Sequence, residues 1–326
     1  MDVRGALEAI GLPAGDLHAL PTSAKRFPDG AQYRFEIPST EGPRCLDAVL
    51  EEADRLDVPI HRVSQGSGVF LLTDAELDEL AATAAAAPVE VSLFTRPNAA
   101  WDASATARAP AGGALAPAVR GQEQLVAVLE DAVRAAEHGV RSVLIADTGA
   151  LHAFAELRRL GVLPADMQAK VSVMLPVANP GTARVLAGLG ASTLNLPTDL
   201  TLAQIAAIRA AIDLPLDIYL EAPDSLGGFV RLHELPEVVR VAAPVYLKFG
   251  LRNAPDVYPA GSHLEATAVA LSRERVRRAR LGLELLARSG VECTTSPRGA
   301  TGLAVPLVAA AQPTGEPATE VVTGSP

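Results

Sequence analysis

Two short runs in the last third of the chain alternate strictly between apolar and polar residues. In LPLDIYLE (214–221), Leu216, Ile218 and Leu220 share one side while Asp217, Tyr219 and Glu221 share the other, because strand side chains alternate faces. In VYLKFG (245–250), Val245, Leu247 and Phe249 oppose Tyr246 and Lys248. Both runs lie among helical segments, so their aliphatic sides are expected to be covered by helices. The charged sides must then face something enclosed, and a barrel interior supplies such a space.

The same strand and helix unit recurs along the chain. Strands are expected at 32–38, 59–64, 89–96, 142–147, 170–177, 192–197, 214–221 and 245–250. Helices are expected at 45–57, from Thr73, and at 122–138, 150–160, 180–189, 201–211, 234–240 and 264–288. Eight alternating units imply parallel strands with right-handed crossovers, closing into an α/β fold of the (β/α)8 TIM barrel type over 31–290. A doubly wound open sheet is the alternative. Residues 1–30 form a short extension, with a helix at 3–10, that closes the barrel floor or packs on its side. Residues 97–120, rich in Ala, Pro and Gly and holding Trp101, have the length of a lid or of a disordered link. From Val291 the composition shifts to Ala, Pro, Thr and Gly without period, which predicts a flexible tail over 291–326.

Charge and cysteine use narrow the function classes. A net charge of −10 disfavours nucleic acid and anionic membrane as partners, since each needs a basic surface. No apolar run reaches the roughly 18 residues of a membrane span, and the acidic N-terminus argues against a signal peptide, so cytoplasmic residence is expected. Cys45 and Cys293 are too few and too far apart for a disulfide framework or a sulfur-ligated metal centre. Only three lysines occur, Lys25, Lys170 and Lys248, which makes Lys248 conspicuous on its strand.

In a closed barrel the polar strand ends would bring together Glu36, Arg62, Ser64, Arg96, Asp147, Asn195, Glu221 and Lys248, and the loop after strand eight adds Arg252, Asn253, Asp256, His263 and Glu265. So many ionisable groups must pair with one another or meet a ligand. Lys248 has three readings: an ion pair with Glu36 or Glu221, electrostatic binding of a carboxylate, phosphate or enolate, and a Schiff base with a carbonyl substrate. Glu36 and Glu221 lie on the strands either side of strand eight, and one of them could act as general base. Arg62, Ser64, Arg96, Asn195, Arg252, Asn253 and His263 are the candidate substrate-binding residues. A divalent metal held by Glu36, Glu221, His263 and Glu265 is a further arrangement. The glycine stretches at 65–68, 225–228 and 249–253 match no nucleotide-binding fingerprint, so no nucleotide cofactor is expected.

The stretch DIYLEAPDSLGGFVRLHELPEVVRVAAPVYLKFG (217–250) resembles the collagenase-like peptidase family: a strand ending in a carboxylate, a Gly-containing loop, a short helix and another strand. The resemblance implies a barrel domain, points to hydrolysis of peptide-like substrates, and carries over Glu221 as a site residue. Relatives bear cysteines after the corresponding strand, and several bind iron–sulfur clusters. This chain has AlaProAspSerLeuGlyGly there, so no such cluster is expected. The preferred reading is a metabolic enzyme of lyase or isomerase type, with a small anionic or carbonyl-containing substrate as its partner. A family-like hydrolase and a non-catalytic binding or assembly barrel are the alternatives. The amphipathic helix at 264–288 offers a face either for a homo-oligomer or for packing on the barrel.

Overall fold

The computed structural model describes residues 3–9, 19–96 and 118–308. Trp101 and most of the expected lid, His18, and residues 309–326 of the expected tail lie outside the described residues.

Parallel strands β1 (Tyr33–Pro38), β2 (Ile60–Ser64), β3 (Glu90–Phe94), β4 (Ser142–Ile145), β5 (Gln168–Val171), β6 (Thr193–Asn195), β7 (Leu216–Glu221) and β8 (Val245–Phe249) pair in chain order. β8 pairs back onto β1 and closes the barrel. The helices are α1 (Val3–Ala9), α2 (Pro43–Leu56), α3 (Asp74–Ala86), α4 (Gly121–Glu137), α5 (Thr148–Arg159), α6 (Pro180–Gly188), α7 (Leu202–Ala211), α8 (Leu235–Ala242) and α9 (Glu265–Ser289). The fold is the (β/α)8 TIM barrel that the alternating units predict.

Local chemistry sets the helix starts. Thr73 caps α3 in a reciprocal box with Glu76, and Thr201 does the same for α7 with Gln204, each pair satisfying donors that the first turn leaves free. Asp147, expected at a strand end in the site, is instead the cap of α5, where its side chain accepts from Ala150 N at 2.9 Å. Strand five begins at Gln168 and ends at Val171, well short of the expected Val177. Its chain turns at once, with Leu175 N donating to Ser172 O, ahead of Pro176.

The outward strand faces, with Phe35, Ile37, Leu247 and Phe249, join the inner faces of the helices in one hydrophobic cluster. Small residues let the layers meet: Gly282 of α9 is so close to Phe249 that an added Cβ would lie 3.0 Å from the ring.

The floor, at the N-terminal strand ends, is closed from two directions. Phe27 packs edge-on to Tyr246 at 5.3 Å, and the Arg34 guanidinium stacks on Phe27 at 4.1 Å. Residues 291–308, expected to begin a flexible tail, run across this end. Thr295 bridges Tyr33, Ser296 Oγ accepts from Arg34 Nε at 2.8 Å, and Thr301 O accepts from Arg34 Nη2 at 2.7 Å. Ala304 N then reaches Glu90 at 3.3 Å, and Leu307 N reaches Gly139 O at 2.8 Å. Backbone hydrogen bonds, rather than apolar periodicity, fix this segment.

Candidate functional site

Register places the charged strand faces together. Glu36 of β1 lies opposite Arg62 on β2 and opposite Lys248 on β8. Its carboxylate accepts from Arg62 Nε at 2.7 Å, from Lys170 Nζ at 2.7 Å and from Ser64 Oγ at 2.7 Å, and Lys248 Nζ lies 3.2 Å away. Asp217 of β7 completes the ring: Arg62 Nη2 reaches it at 2.5 Å, Lys170 Nζ donates to it, and Thr193 Oγ1 donates at 3.2 Å. Below, Arg62 Nη1 faces Glu90 at 3.7 Å, and its guanidinium stacks on Tyr246 at 3.5 Å.

All six charged residues are buried. Three carboxylates (Glu36, Glu90, Asp217) meet three cations (Arg62, Lys170, Lys248), so the network balances its own charge, without which burial would cost several kcal/mol per ion.

Ionisation follows from this packing. Burial alone would raise the Glu36 carboxyl, but Arg62, Lys170 and Lys248 outweigh it and hold that carboxyl well below the usual range. A carboxylate so stabilised is a weak proton acceptor, which argues against Glu36 as the general base. Burial, with Arg62 adding repulsion, lowers the Lys170 ammonium from 10.5 to about 8, and Asp217 and Glu36 only partly offset this.

Lys248 sits at the C-terminal rim of the network. Its ammonium lies 4.3 Å from the Tyr219 ring centre. With the Asn195 amide turned to donate to Asp217 O, the Asn195 oxygen accepts from Lys248 Nζ at 2.8 Å. Lys170 contacts two carboxylates and Arg62 three, whereas Lys248 contacts one.

Several expected neighbours are elsewhere. The register of β7 slips between Tyr219 and Glu221, so Glu221 lies opposite Phe249 instead of following the inward face. It accepts from Arg252 N at 2.9 Å and from Arg278 Nε of α9 at 2.8 Å, and the expected Glu36, Lys248 and Glu221 cluster does not form. Arg252 and Asn253 are exposed and bind Asp224 in the preceding loop, and Asp256 accepts from Tyr258 N. His263 and Glu265 are exposed at the start of α9. Glu36, Glu221, His263 and Glu265 are therefore not brought together as a metal set, and among the described residues no group of three such side chains is placed to hold an ion. Arg62, Ser64 and Asn195 are buried members of the network. Arg96 is half-buried at the end of β3, with Nη1 donating to Gly66 O at 3.4 Å.

Sequence reasoning passed over Lys170, Asp217 and Glu90 as site residues, although the first two lie on inward faces that period-two alternation marks. It also missed the mouth above β1 and β2. There the Glu41 carboxylate accepts from Gly66 N at 2.8 Å and Ser67 N at 3.0 Å, and burial raises its carboxyl despite these donors. Tyr258, from the loop after β8, bonds to Ser39 Oγ and lies against Gly66, where an added Cβ would fall 2.5 Å from its ring. Arg275 of α9 reaches in beneath, donating from Nη1 to Ser39 O at 3.2 Å. Burial pushes both the Cys45 and the Cys293 thiol up, the opposite of an activated nucleophile.

No curated protein sequence matches the chain. Among solved structures, a protein assigned as a fructose-1,6-bisphosphate aldolase from Coccidioides immitis aligns with TM-score 0.48 and 10% identity, covering 79% of this chain and 93% of that one. The 3-deoxy-D-arabino-heptulosonate 7-phosphate synthase from Thermotoga maritima, in a truncated form, gives TM-score 0.43 and 15% identity over 84% and 95%. A U32 peptidase gives TM-score 0.41 and 15% identity over 74% and 99%. These likenesses are too distant to carry an argument. Residues 116–222 match the profile of peptidase family U32, a segment that shares Asp217–Ala222 with the stretch whose arrangement suggested the resemblance and otherwise lies before it. From the approach to α4 to the end of β7, the chain is similar to peptidase family U32.

Proposed function

We propose that the barrel is an enzyme acting on a small anionic, carbonyl-containing substrate at its C-terminal mouth, by lyase or isomerase chemistry through an enolate. The observation that carries this reading is the graded pairing of the interior cations. Lys248, nearest the mouth, faces one carboxylate, while the deeper Lys170 and Arg62 face two and three. An ammonium held by Glu36, Asn195 and the Tyr219 ring is preorganised to stabilise negative charge developing on a carbonyl oxygen. In this reading Glu36 is its counter-ion. Glu41, whose carboxyl burial raises, is the better base: it takes the proton from the carbon next to the carbonyl, and the electron pair moves onto the oxygen facing Lys248.

Lys248→Met should abolish turnover of a keto acid substrate while the circular dichroism spectrum stays native, and unchanged kcat would remove Lys248 from the mechanism. A second reading, hydrolysis of peptide-like substrates, is favoured by the U32 match over 116–222. Release of new amines from a peptide library would support it over the first.

A further inference from the structure

Among the described residues, the buried arginines Arg34, Arg62 and Arg231 pair with anions, whereas Arg209 and Arg275 do not. Arg34 has Asp29 at 3.6 Å, Arg62 has Glu36 and Asp217 at 2.5 Å, and Arg231 has Glu234 at 2.6 Å. Arg209 places both Nη groups on carbonyl oxygens after α7. Arg275 is 5% exposed, and its one hydrogen bond is from Nη1 to Ser39 O. Nε is buried without a partner, and among the described residues Arg275 forms no ion pair. The Nε and Nη2 edge, which grips a carboxylate with two parallel bonds, is thus left over.

No neighbouring side chain is disposed to fill it. The two oxygens of Glu41 hold Gly66 N and Ser67 N, the Tyr258 hydroxyl bonds to Ser39, and Glu274 on the same helix pairs with Arg277 and Arg278. Glu41 is near enough to act on Arg275 electrostatically but forms no ion pair with it, so the free edge of this buried guanidinium is a place for an anion that arrives with a ligand. The ligand's other end is set by what lies beside it: the Tyr219 phenol is an electrostatic neighbour of Arg275, and Lys248 Nζ is 4.3 Å from the Tyr219 ring.

We propose that the Nε and Nη2 edge of Arg275 anchors the carboxylate of a 2-oxo acid, assisted by Tyr219, with access past the Tyr258 loop. This deepens the reaction proposed above and rests on its anionic substrate. A carboxylate is favoured over a phosphate because the nearby N–H donors of Gly66 and Ser67 are already taken by Glu41, leaving a planar fork and not a cradle of donors.

Isothermal titration with pyruvate, oxalate and inorganic phosphate tests it on the full chain, on Arg275→Met, Arg275→Lys and Tyr219→Phe, and on Lys248→Met. Oxalate or pyruvate should bind the wild type. Affinity should fall at least about tenfold in Arg275→Met and by less in Tyr219→Phe. Arg275→Lys should also bind weakly, since a point charge does not reproduce a bidentate contact. If Arg275→Met does not fold, the Arg275→Lys and Tyr219→Phe affinities decide. Equal carboxylate affinity in wild type and Arg275 variants, with only the melting temperature lowered, would make the residue structural and overturn the proposal. So would phosphate binding tighter than either carboxylate, or no carboxylate binding to the wild type. Lost carboxylate binding in Arg275→Met together with full turnover in Lys248→Met would overturn the reaction and keep the anchor. The reverse pattern would overturn the anchor alone.

Discussion

Lys170 holds Glu36 and Asp217 apart at the centre of the barrel, and both carboxylates are buried. Replacing it with Met leaves three buried carboxylates with only Arg62 and Lys248 as cations, so Lys170→Met should lose roughly 3–5 kcal/mol of stability in urea unfolding. Lys248→Met, which leaves Glu36 with Arg62 and Lys170, should lose clearly less, and an equal loss in both variants would contradict the graded pairing. His61 offers a pH test. It is fully buried, its Nδ1 accepts from Phe35 N at 3.0 Å, its Nε2 faces Ser296 O at 2.7 Å, and burial lowers its pKa from 6.5 to about 4. Because the folded value lies below the unfolded one, the neutral ring's contribution is complete above pH 6.5 and is lost as pH falls through about 4. A shift of that size corresponds to roughly 3 kcal/mol. Unfolding free energy measured from pH 7 to 4 should fall less steeply in His61→Asn than in the wild type. Residue types and faces were legible here: Glu36, Arg62, Asp217 and Lys248 all lie inward as alternation requires. Which cation meets which carboxylate was not, because partners 26 to 212 positions apart are chosen by strand stagger around the barrel.

The slip in β7 marks the limit of reasoning from period at the scale of elements. Alternation assigns Glu221 to the same face as Tyr219, and a bulge, which inserts a residue without changing the apolar pattern, takes it off that face. The loop bearing Tyr258 was equally hidden, since its position depends on Gly66 giving way to a ring from a segment 192 positions later. Gly66→Ala should therefore displace that ring and lower stability by about 1–3 kcal/mol, checked by thermal melting. An unaltered melting temperature would mean that the ring does not rest on Gly66. Capping, by contrast, is local and readable: Thr73→Ala should cost about 1 kcal/mol, and a Thr73→Asp replacement should recover most of it.

At the scale of the molecule, the floor decides whether the barrel is a closed body. Ending the chain at Gly290 would strip Arg34 of Ser296 and Thr301 and His61 of Ser296. Such a truncation should lower stability on the order of 3 kcal/mol through the unsatisfied buried groups, visible as a lower urea midpoint. Strand and helix order, parallel pairing and closure follow from the sequence, because side-chain period and the handedness of crossovers act over a few residues or a single unit. The presence of an enclosed charged face follows as well, since apolar sides covered by helices leave polar sides no other place. Tertiary structure alone decided that the interior charges cancel among themselves, that Glu221 serves α9, that residues 291–308 run across the floor, and that Arg275 reaches the mouth with one edge unmatched. Each of these depends on distances between segments far apart in the chain, and those distances are set by stagger, bulges and loop packing, which leave no periodic trace.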